Sequence, residues 1–430
     1  MNNEQYRPSR AELAGLLGAP VGFAAEAPRE AVVVEQSDPA RFMAALAVAT
    51  AQGGVVLLAS DAWGDRERRQ LAALRTQPQI TPATAAGKGW LCIATGGTGG
   101  QLKFARHDEE TISAAVRGFA LHFKMARVNA AGVLPLHHVS GLMAWMRCAL
   151  TGGEYLPLDW KKIEGGALPD LRAKPDGWTI SLVVTQLERL LRNDRAGSAN
   201  PPSTPTVEWL RQFRIIFLGG GPASPALLDR AASLGLPVSL GYGMTETAAM
   251  VTALRPEEFL GGARTSGSAL PHARVAIGAD GAIVVGGDSL FRGYHPEWRD
   301  RWDFETSDRG GLDGQQQLVV AGRRDAVIIT GGEKVDPAEV EQVLRDTGEF
   351  SDVVVLGVPD AEWGHAVVAA YPASARPDLA KVGQAMATAL RAPQRPKQFI
   401  ALPNWPANAQ GKVNRAEILR QILGGQNLQN

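Results

Sequence analysis

Short β-rich runs and amphipathic stretches alternate along almost the whole of this chain. Runs suited to strands fall at 55–58, 89–93, 214–218, 238–240, 282–285, 318–320 and 353–358. Apolar spacing suited to helices falls at 40–52, 109–123, 185–192, 225–234 and 337–347. That alternation calls for sheets with helices laid on their faces, an α/β architecture. The helix at 337 is announced by Asp336-Pro337, a cap residue followed by proline at the first helical position. A segment rich in Asn, Ser, Gly and Pro, from Asn193 to Pro205, reads as a surface loop. A strand ends in Gly322-Arg323-Arg324-Asp325, and a new strand-then-helix pattern follows. The boundary placed there divides the chain into residues 1–322 and 323–430.

The 430 residues are ample for two or three domains at roughly 100–200 residues each. Lys and Arg together number 44, and so do Asp and Glu, giving a net charge of zero. A neutral chain has little general attraction for a polyanion, which argues against nucleic acid or a membrane surface as partner. A local basic patch for a phosphate-rich ligand remains open. The two cysteines, Cys92 and Cys148, sit in apolar settings without a metal-ligand neighbour and read as reduced core thiols. The N-terminal residues lack an apolar signal region, and no apolar run approaches the ~18 residues a spanning helix needs. The expected compartment is the cytoplasm, with no membrane insertion.

One loop carries chemistry on its face. Thr95-Gly96-Gly97-Thr98-Gly99-Gly100-Gln101-Leu102-Lys103 follows a strand-like run. Its glycines let backbone N–H groups approach phosphate oxygens closely; Thr95 and Thr98 add hydroxyls and Lys103 a positive charge. The Walker pattern fails, because Lys103 does not directly follow a glycine, and the dinucleotide fingerprint does not register on these glycines. An ordinary glycine-rich turn stays open on this loop alone.

The loop resembles the [ST]-[SG]-G-T-T-G-x-P-K signature of the adenylate-forming superfamily, with Gly99 for Thr and Leu102 for Pro. Further motifs of that family follow in its order. Pro135-Leu136-His137-His138-Val139-Ser140-Gly141 is similar to P-L-x-H-x-x-G, which implies that His138 borders the acyl and adenylate sites. Gly219-Gly220-Gly221-Pro222 resembles the turn that lies along adenine. Gly241-Tyr242-Gly243-Met244-Thr245-Glu246 matches Y-G-x-T-E fully. The resemblance implies Tyr242 against adenine, Thr245 at the α-phosphate and Glu246 on Mg²⁺, for which a hard carboxylate oxygen is suited. Asp308 in Thr306-Ser307-Asp308-Arg309-Gly310 would accept from both ribose hydroxyls. Arg323 would contact ribose or phosphate, and Asp325 would be a hinge, although Ala326 departs from the second acid usual there. Gly331 and Gly332 would meet the thiol arm of coenzyme A, and Lys412 in Asn408-Ala409-Gln410-Gly411-Lys412 would be the catalytic lysine.

The resemblance runs from Thr95 to Lys412. It implies a large N-terminal domain of doubly wound α/β subdomains with a small β-barrel-like part, then a small mobile α+β C-terminal domain. It also implies ATP, Mg²⁺ and coenzyme A as cofactors, a small-molecule carboxylic acid as substrate, and leaves a homo-oligomer open. Ser181-Leu182-Val183-Val184-Thr185-Gln186-Leu187 and Gly267-Ser268-Ala269-Leu270-Pro271 resemble runs of the compact o-succinylbenzoate–CoA ligase branch of menaquinone and phylloquinone synthesis. Thr185, Gln186 and Ser268 are its acyl-pocket candidates here. Another aryl- or fatty-acyl-CoA ligase, or an enzyme loading a carrier protein, is the alternative.

Overall fold

The computed structural model describes residues 8–20, 30–95, 101–171, 176–192, 204–221, 223–323, 327–360, 362–407 and 413–426, the last two as backbone. The fold is mixed α/β with five sheets among these residues. The largest has seven strands in the order Ser268–Ala269, Ala249–Ala253, Val238–Met244, Phe213–Gly219, Trp178–Val183, Ala130–Gly132, Tyr155–Pro157. The last five run parallel and the first two antiparallel.

Strand Phe213–Gly219 shows why its sequence is almost continuously apolar. Ile216 and Leu218 enter a core with Leu187 and Leu190 of helix Val184–Arg192, Trp209 of Pro205–Arg211, and Leu227 and Leu228 of Pro225–Ser233. Ile215 and Phe217 face the other way, onto Phe119 of helix Glu109–His122 and Phe123 just beyond it. A parallel strand covered on both faces has no polar side, and each such side chain contributes about 1.5–3 kcal/mol.

A four-stranded sheet precedes it, in the order Val32–Val34, Val56–Leu58, Leu91–Thr95, Lys103–His107. Its first three strands are parallel and the last antiparallel. A small antiparallel part follows: Ala273–Ile277, Ala282–Gly287, Asp303–Leu312 and Leu318–Arg323, paired in sequence order. The remaining strands are a hairpin, Ile328–Thr330 with Glu333–Val335, and a three-stranded sheet of Val354–Asp360, Gly364–Pro372 and Gln398–Leu402. Helices Pro337–Asp346, Leu379–Ala389 and Arg415–Gln426 pack on this last part. Buried clusters up to Leu318 share no member with those from Ile328 onward.

One element differs from the sequence expectation. Residues 193–203 of the expected loop lie outside the described residues, but Pro205 is helical: Thr204 caps helix Pro205–Arg211, its hydroxyl accepting the Val207 N–H at 3.4 Å. Proline at a first helical turn looks like a loop residue when its cap is not weighed. Helix Val139–Thr151 begins directly after His138. Gly141 permits this, because a Cβ there would sit 2.3 Å from the Pro135 carbonyl oxygen.

Strand Lys103–His107 is tied down by charge. Asp108, fully buried, caps helix Glu109–His122 and accepts the Gly89 N–H at 3.1 Å. Arg292 reaches it from 184 residues away, donating Nε–H to Oδ2 at 2.9 Å. Burial works against ionisation, yet the Arg292 guanidinium and the Thr111 and Gly89 N–H groups hold this carboxyl below its usual range. The stabilisation is therefore present above the unfolded carboxyl value of ~3.9 and lost as pH falls through the lower folded one. Asp108→Asn should cost about 1.5–3 kcal/mol at neutral pH, since it removes the buried charge facing a half-buried Arg292, which keeps Glu110 at 2.9 Å. In urea unfolding followed by circular dichroism, the gap to wild type should narrow as pH drops below ~4.

Candidate active site

Strand Val238–Met244 turns back into Ala249–Ala253 through a single 3₁₀ turn, Thr245–Thr247. The return is so tight that a Cβ on Gly243 would lie 2.0 Å from the Ala249 carbonyl oxygen. Ala248 and Ala249 both take positive φ, 50° and 82°, which costs an L-residue energy and marks backbone held by its surroundings. Three contacts hold this turn. Thr247 Oγ1 donates to the Ala249 carbonyl at 2.6 Å, the Phe291 N–H donates to the Glu246 carbonyl at 2.8 Å, and His107 Nε2 lies 2.8 Å from the Thr245 carbonyl. A carbonyl only accepts, so His107 carries its proton on Nε2. Burial pushes this imidazole down to about 4, which keeps it neutral at ordinary pH.

The turn presents Thr245 and Glu246, both half-buried. Tyr294 donates its phenol to Glu246 Oε1 at 2.6 Å. Burial and the neighbouring Glu246 charge raise the phenol's pKa, so it stays a donor. Lys103 lies with Nζ 5.5 Å from the centre of the Tyr294 ring. Lys103 and Thr95 are paired across adjacent antiparallel strands, which holds the two flanks of the glycine run together. Gly96, Gly97, Thr98 and Gly100 fall outside the described residues.

A second cluster forms around Tyr242. Its phenol donates to Asp308 Oδ2 at 2.7 Å and lies 3.3 Å from Thr306 Oγ1. Burial, then the Asp308 charge, raises its pKa. Asp308 stands opposite Arg323 in the pairing of Asp303–Leu312 with Leu318–Arg323, with Arg323 Nη1 3.7 Å from its Oδ1. Tyr242, Asp308 and Arg323 therefore gather in one cluster. Gly220 adopts φ +83°, where a Cβ would also meet Val183 at 3.1 Å; Gly221 faces open space. Pro222, Asp325 and Lys412 lie outside the described residues.

His138 sits at the start of helix Val139–Thr151, half-buried, its ring 4.3 Å from that of His137. Burial holds His137 down to about 4. Of the acyl-pocket candidates, Gln186 is buried and accepts the Val183 N–H on Oε1 at 3.0 Å, while Thr185 and Ser268 are half-buried. Gly331 takes φ +55° and donates its N–H to the Trp363 carbonyl; Gly332 takes φ +84° with open space where a side chain would be. The reading of the sequence missed His107, Tyr294 and Arg292. They are 138, 48 and 184 residues from their partners, and no local pattern marks them.

No group of three or more His, Cys, Asp or Glu that could hold a metal occurs among the described residues. Glu246 is a single hard oxygen donor beside hydroxyls, which fits an ion taking its other ligands from phosphate and water.

Comparison with known proteins agrees with this arrangement. The pattern of AMP-binding enzymes matches residues 13–295, and that of the AMP-binding enzyme C-terminal domain matches 339–412. The 2-succinylbenzoate–CoA ligase of Listeria monocytogenes serotype 4b (strain F2365) is 35% identical over 299 residues, 66% of this chain and 60% of that protein. The chain thus matches less than two thirds of that relative's length. The indoleacetate–CoA ligase of Aromatoleum aromaticum is 30% identical over 411 residues, 89% of this chain and 78% of that protein. The o-succinylbenzoate CoA synthetase of Bacillus subtilis, in complex with the acyl-adenylate intermediate OSB-AMP, superimposes with a TM-score of 0.75 at 22% identity. That match covers 95% of this chain and 90% of the other, a likeness of fold. On the matched patterns and the identity to these relatives, the chain belongs to the AMP-binding enzyme family.

Proposed function

We propose that this chain is an AMP-forming acid–CoA ligase that joins o-succinylbenzoate to coenzyme A through an acyl-adenylate. The observation that carries the reading is the pinned Thr245–Glu246 turn beside the Tyr242–Asp308–Arg323 cluster, within a chain of the AMP-binding family. The 2-succinylbenzoate–CoA ligase relatives support the acid. A second reading, another aryl-acetate or aryl ligase, is favoured by the indoleacetate–CoA ligase, which covers more of the chain. Two buried free cysteines support a cytoplasmic protein.

In the first half-reaction the acid's carboxylate attacks the α-phosphorus of ATP and pyrophosphate leaves. Negative charge grows on the α-phosphate oxygens, so catalysis is positioning plus electrostatic stabilisation. Thr245 would donate to those oxygens, its backbone fixed by His107. Asp308 would accept from the ribose hydroxyls, and Tyr242 would lie against adenine, its ring oriented by the Asp308 hydrogen bond. Mg²⁺, when bound, would neutralise phosphate charge, with Glu246 as its carboxylate and Tyr294 orienting that carboxylate. In the second half-reaction the thiol of coenzyme A attacks the acyl carbonyl and AMP leaves. We place the domain boundary at 322/323 and the pivot at Asp325, so that Lys412 serves adenylation and the Gly331–Gly332 loop serves thioester formation.

Three measurements test this. In a panel of acids, kcat/KM for ATP-dependent thioester formation should favour o-succinylbenzoate strongly over benzoate, octanoate and indoleacetate; a preference for indoleacetate moves the assignment to the second reading. Glu246→Gln should lower pyrophosphate release about 10²–10³-fold, with part of the loss recovered at high Mg²⁺, and normal rates at low Mg²⁺ exclude it as a ligand. The last separates the half-reactions in single turnover. Lys412→Ala should lose adenylate formation by about 10²–10³ yet pass a preformed adenylate to coenzyme A, and Gly332→Trp should do the reverse. Because φ at Gly332 is +84°, Gly332→Ala accompanies it, isolating backbone strain from the bulk of the indole.

A further inference from the structure

Helix Asp65–Arg75 belongs to none of the motifs of the site, yet one of its side chains reaches the end of the glycine run. Gln70 Oε1 accepts the Leu102 N–H at 2.6 Å, across 32 residues of sequence. The same helix brings Leu71 and Leu74 into an apolar cluster with Leu102 and Phe104. Trp63, just before the helix, sets its ring edge-on to Phe104 at 6.2 Å. Leu102 is the last residue before strand Lys103–His107, and the pairing with Leu91–Thr95 ends at Thr95 and Lys103. Its N–H lies beyond that pairing and is met by the helix instead.

Position 102 is where the run departs from the signature it resembles, with leucine in place of proline. A proline would fix φ at about −65° and bring no N–H. Leucine leaves φ freer and brings a donor that needs an acceptor. The other departure, Gly99 for Thr, also puts a less restricted residue type into the run. The Gln70 bond answers both consequences of the leucine at once. It satisfies the donor, and it fixes the peptide that a proline would have held. The next residue is Lys103, exposed, with Nζ 5.5 Å from the centre of the Tyr294 ring, whose phenol donates to Glu246. One hydrogen bond thus ties a peripheral helix to the backbone that carries this cation.

We propose that Gln70 is a positioning residue for adenylation: through the Leu102 peptide it aims Lys103 at the triphosphate, doing by hydrogen bond what a proline at 102 would do by covalent restriction. This rests on the adenylating reading above. Lys103 serves while pyrophosphate leaves, because a fixed cation there counters charge on the departing phosphates. Once the acyl-adenylate exists the pyrophosphate is gone, and thioester formation makes no use of that cation. A side chain that only shored up the fold would affect both half-reactions alike. Gln70 is distinguished by acting on one of them.

The test uses the full chain with ATP, Mg²⁺ and o-succinylbenzoate, or indoleacetate if the wild type prefers it. Pyrophosphate release is followed over a range of ATP, and transfer to coenzyme A from synthetic acyl-adenylate is followed separately. Gln70→Met keeps a helix former of similar length and removes the acceptor. It should lower kcat/KM for ATP about 10-fold, the worth of one hydrogen bond, and leave the transfer step unchanged. Gln70→Ala takes its place if that protein does not fold. In the Leu102→Pro background the Gln70→Met loss should vanish to within about 2-fold, because a proline has no N–H to lose. If Leu102→Pro does not fold, the split between half-reactions in Gln70→Met decides. Unchanged pyrophosphate release in Gln70→Met, an equal loss in both half-reactions, or the same loss with and without Leu102→Pro overturns the proposal and leaves adenylation standing. A wild type that releases no pyrophosphate with either acid overturns the adenylating reading and the proposal together.

Discussion

The buried contact between Asp108 and Arg292 fixes the geometry from which the site is assembled. Asp108 closes strand Lys103–His107 and opens helix Glu109–His122, so one carboxylate sets the angle between them. Arg292 brings a segment from 184 residues further along the sequence alongside. There the Arg292 N–H donates to the Arg106 carbonyl, the Arg106 N–H to Gly293, and the His295 N–H to Phe104. The two ends of this short ladder deliver the two residues that steady the Thr245–Glu246 turn, His107 on its backbone and Tyr294 on its carboxylate. A charge pair whose carboxylate is fully buried contributes little net energy against its desolvation. What it supplies is register.

The turn itself is strained, and the strain has a location. Two alanines at positive φ follow Thr247, and Gly243 lies against the backbone that returns. Such conformations cost about 1–3 kcal/mol each. They persist because Thr247, Phe291 and His107 over-determine the path. The result is a threonine hydroxyl and a glutamate carboxylate on a rigid hairpin corner.

Much of the architecture was legible because the signals were local. The runs 214–218 and 238–240 read as strands and lie inside Phe213–Gly219 and Val238–Met244, and Asp336-Pro337 opens a helix as its cap chemistry predicts. Tyr242, Asp308 and Arg323 were found singly, as members of motifs. The hydrogen bond that joins Tyr242 to Asp308 spans 66 residues and has no counterpart in spacing. His107 was passed over because a histidine ending a strand looks like any core histidine; what distinguishes it is the carbonyl 138 residues away. Gln186 was placed among pocket candidates from a local resemblance, yet its carbonyl oxygen accepts the Val183 N–H three residues earlier, at the strand–helix junction.

Arg106 and Arg147 show what a sequence hides about charge. Arg106 lies in a charged run and Arg147 in an apolar one, and each is buried in the fold. Arg106 distributes its donors over the carbonyls of Ile80, Gly89, Pro296 and Glu297 and the hydroxyl of Thr81. Every bond goes to protein, and the residue is a structural rivet needing no acid. Arg147 has the same chemistry and none of those acceptors within the described residues; aromatic faces take the place of carbonyls around it. A ring can balance part of a cation's charge, about 0.5–2 kcal/mol, but accepts no directed N–H bonds in the guanidinium plane. The two arginines thus differ in where their donors go, to carbonyls in one case and against ring faces in the other, and only the assembled fold separates them.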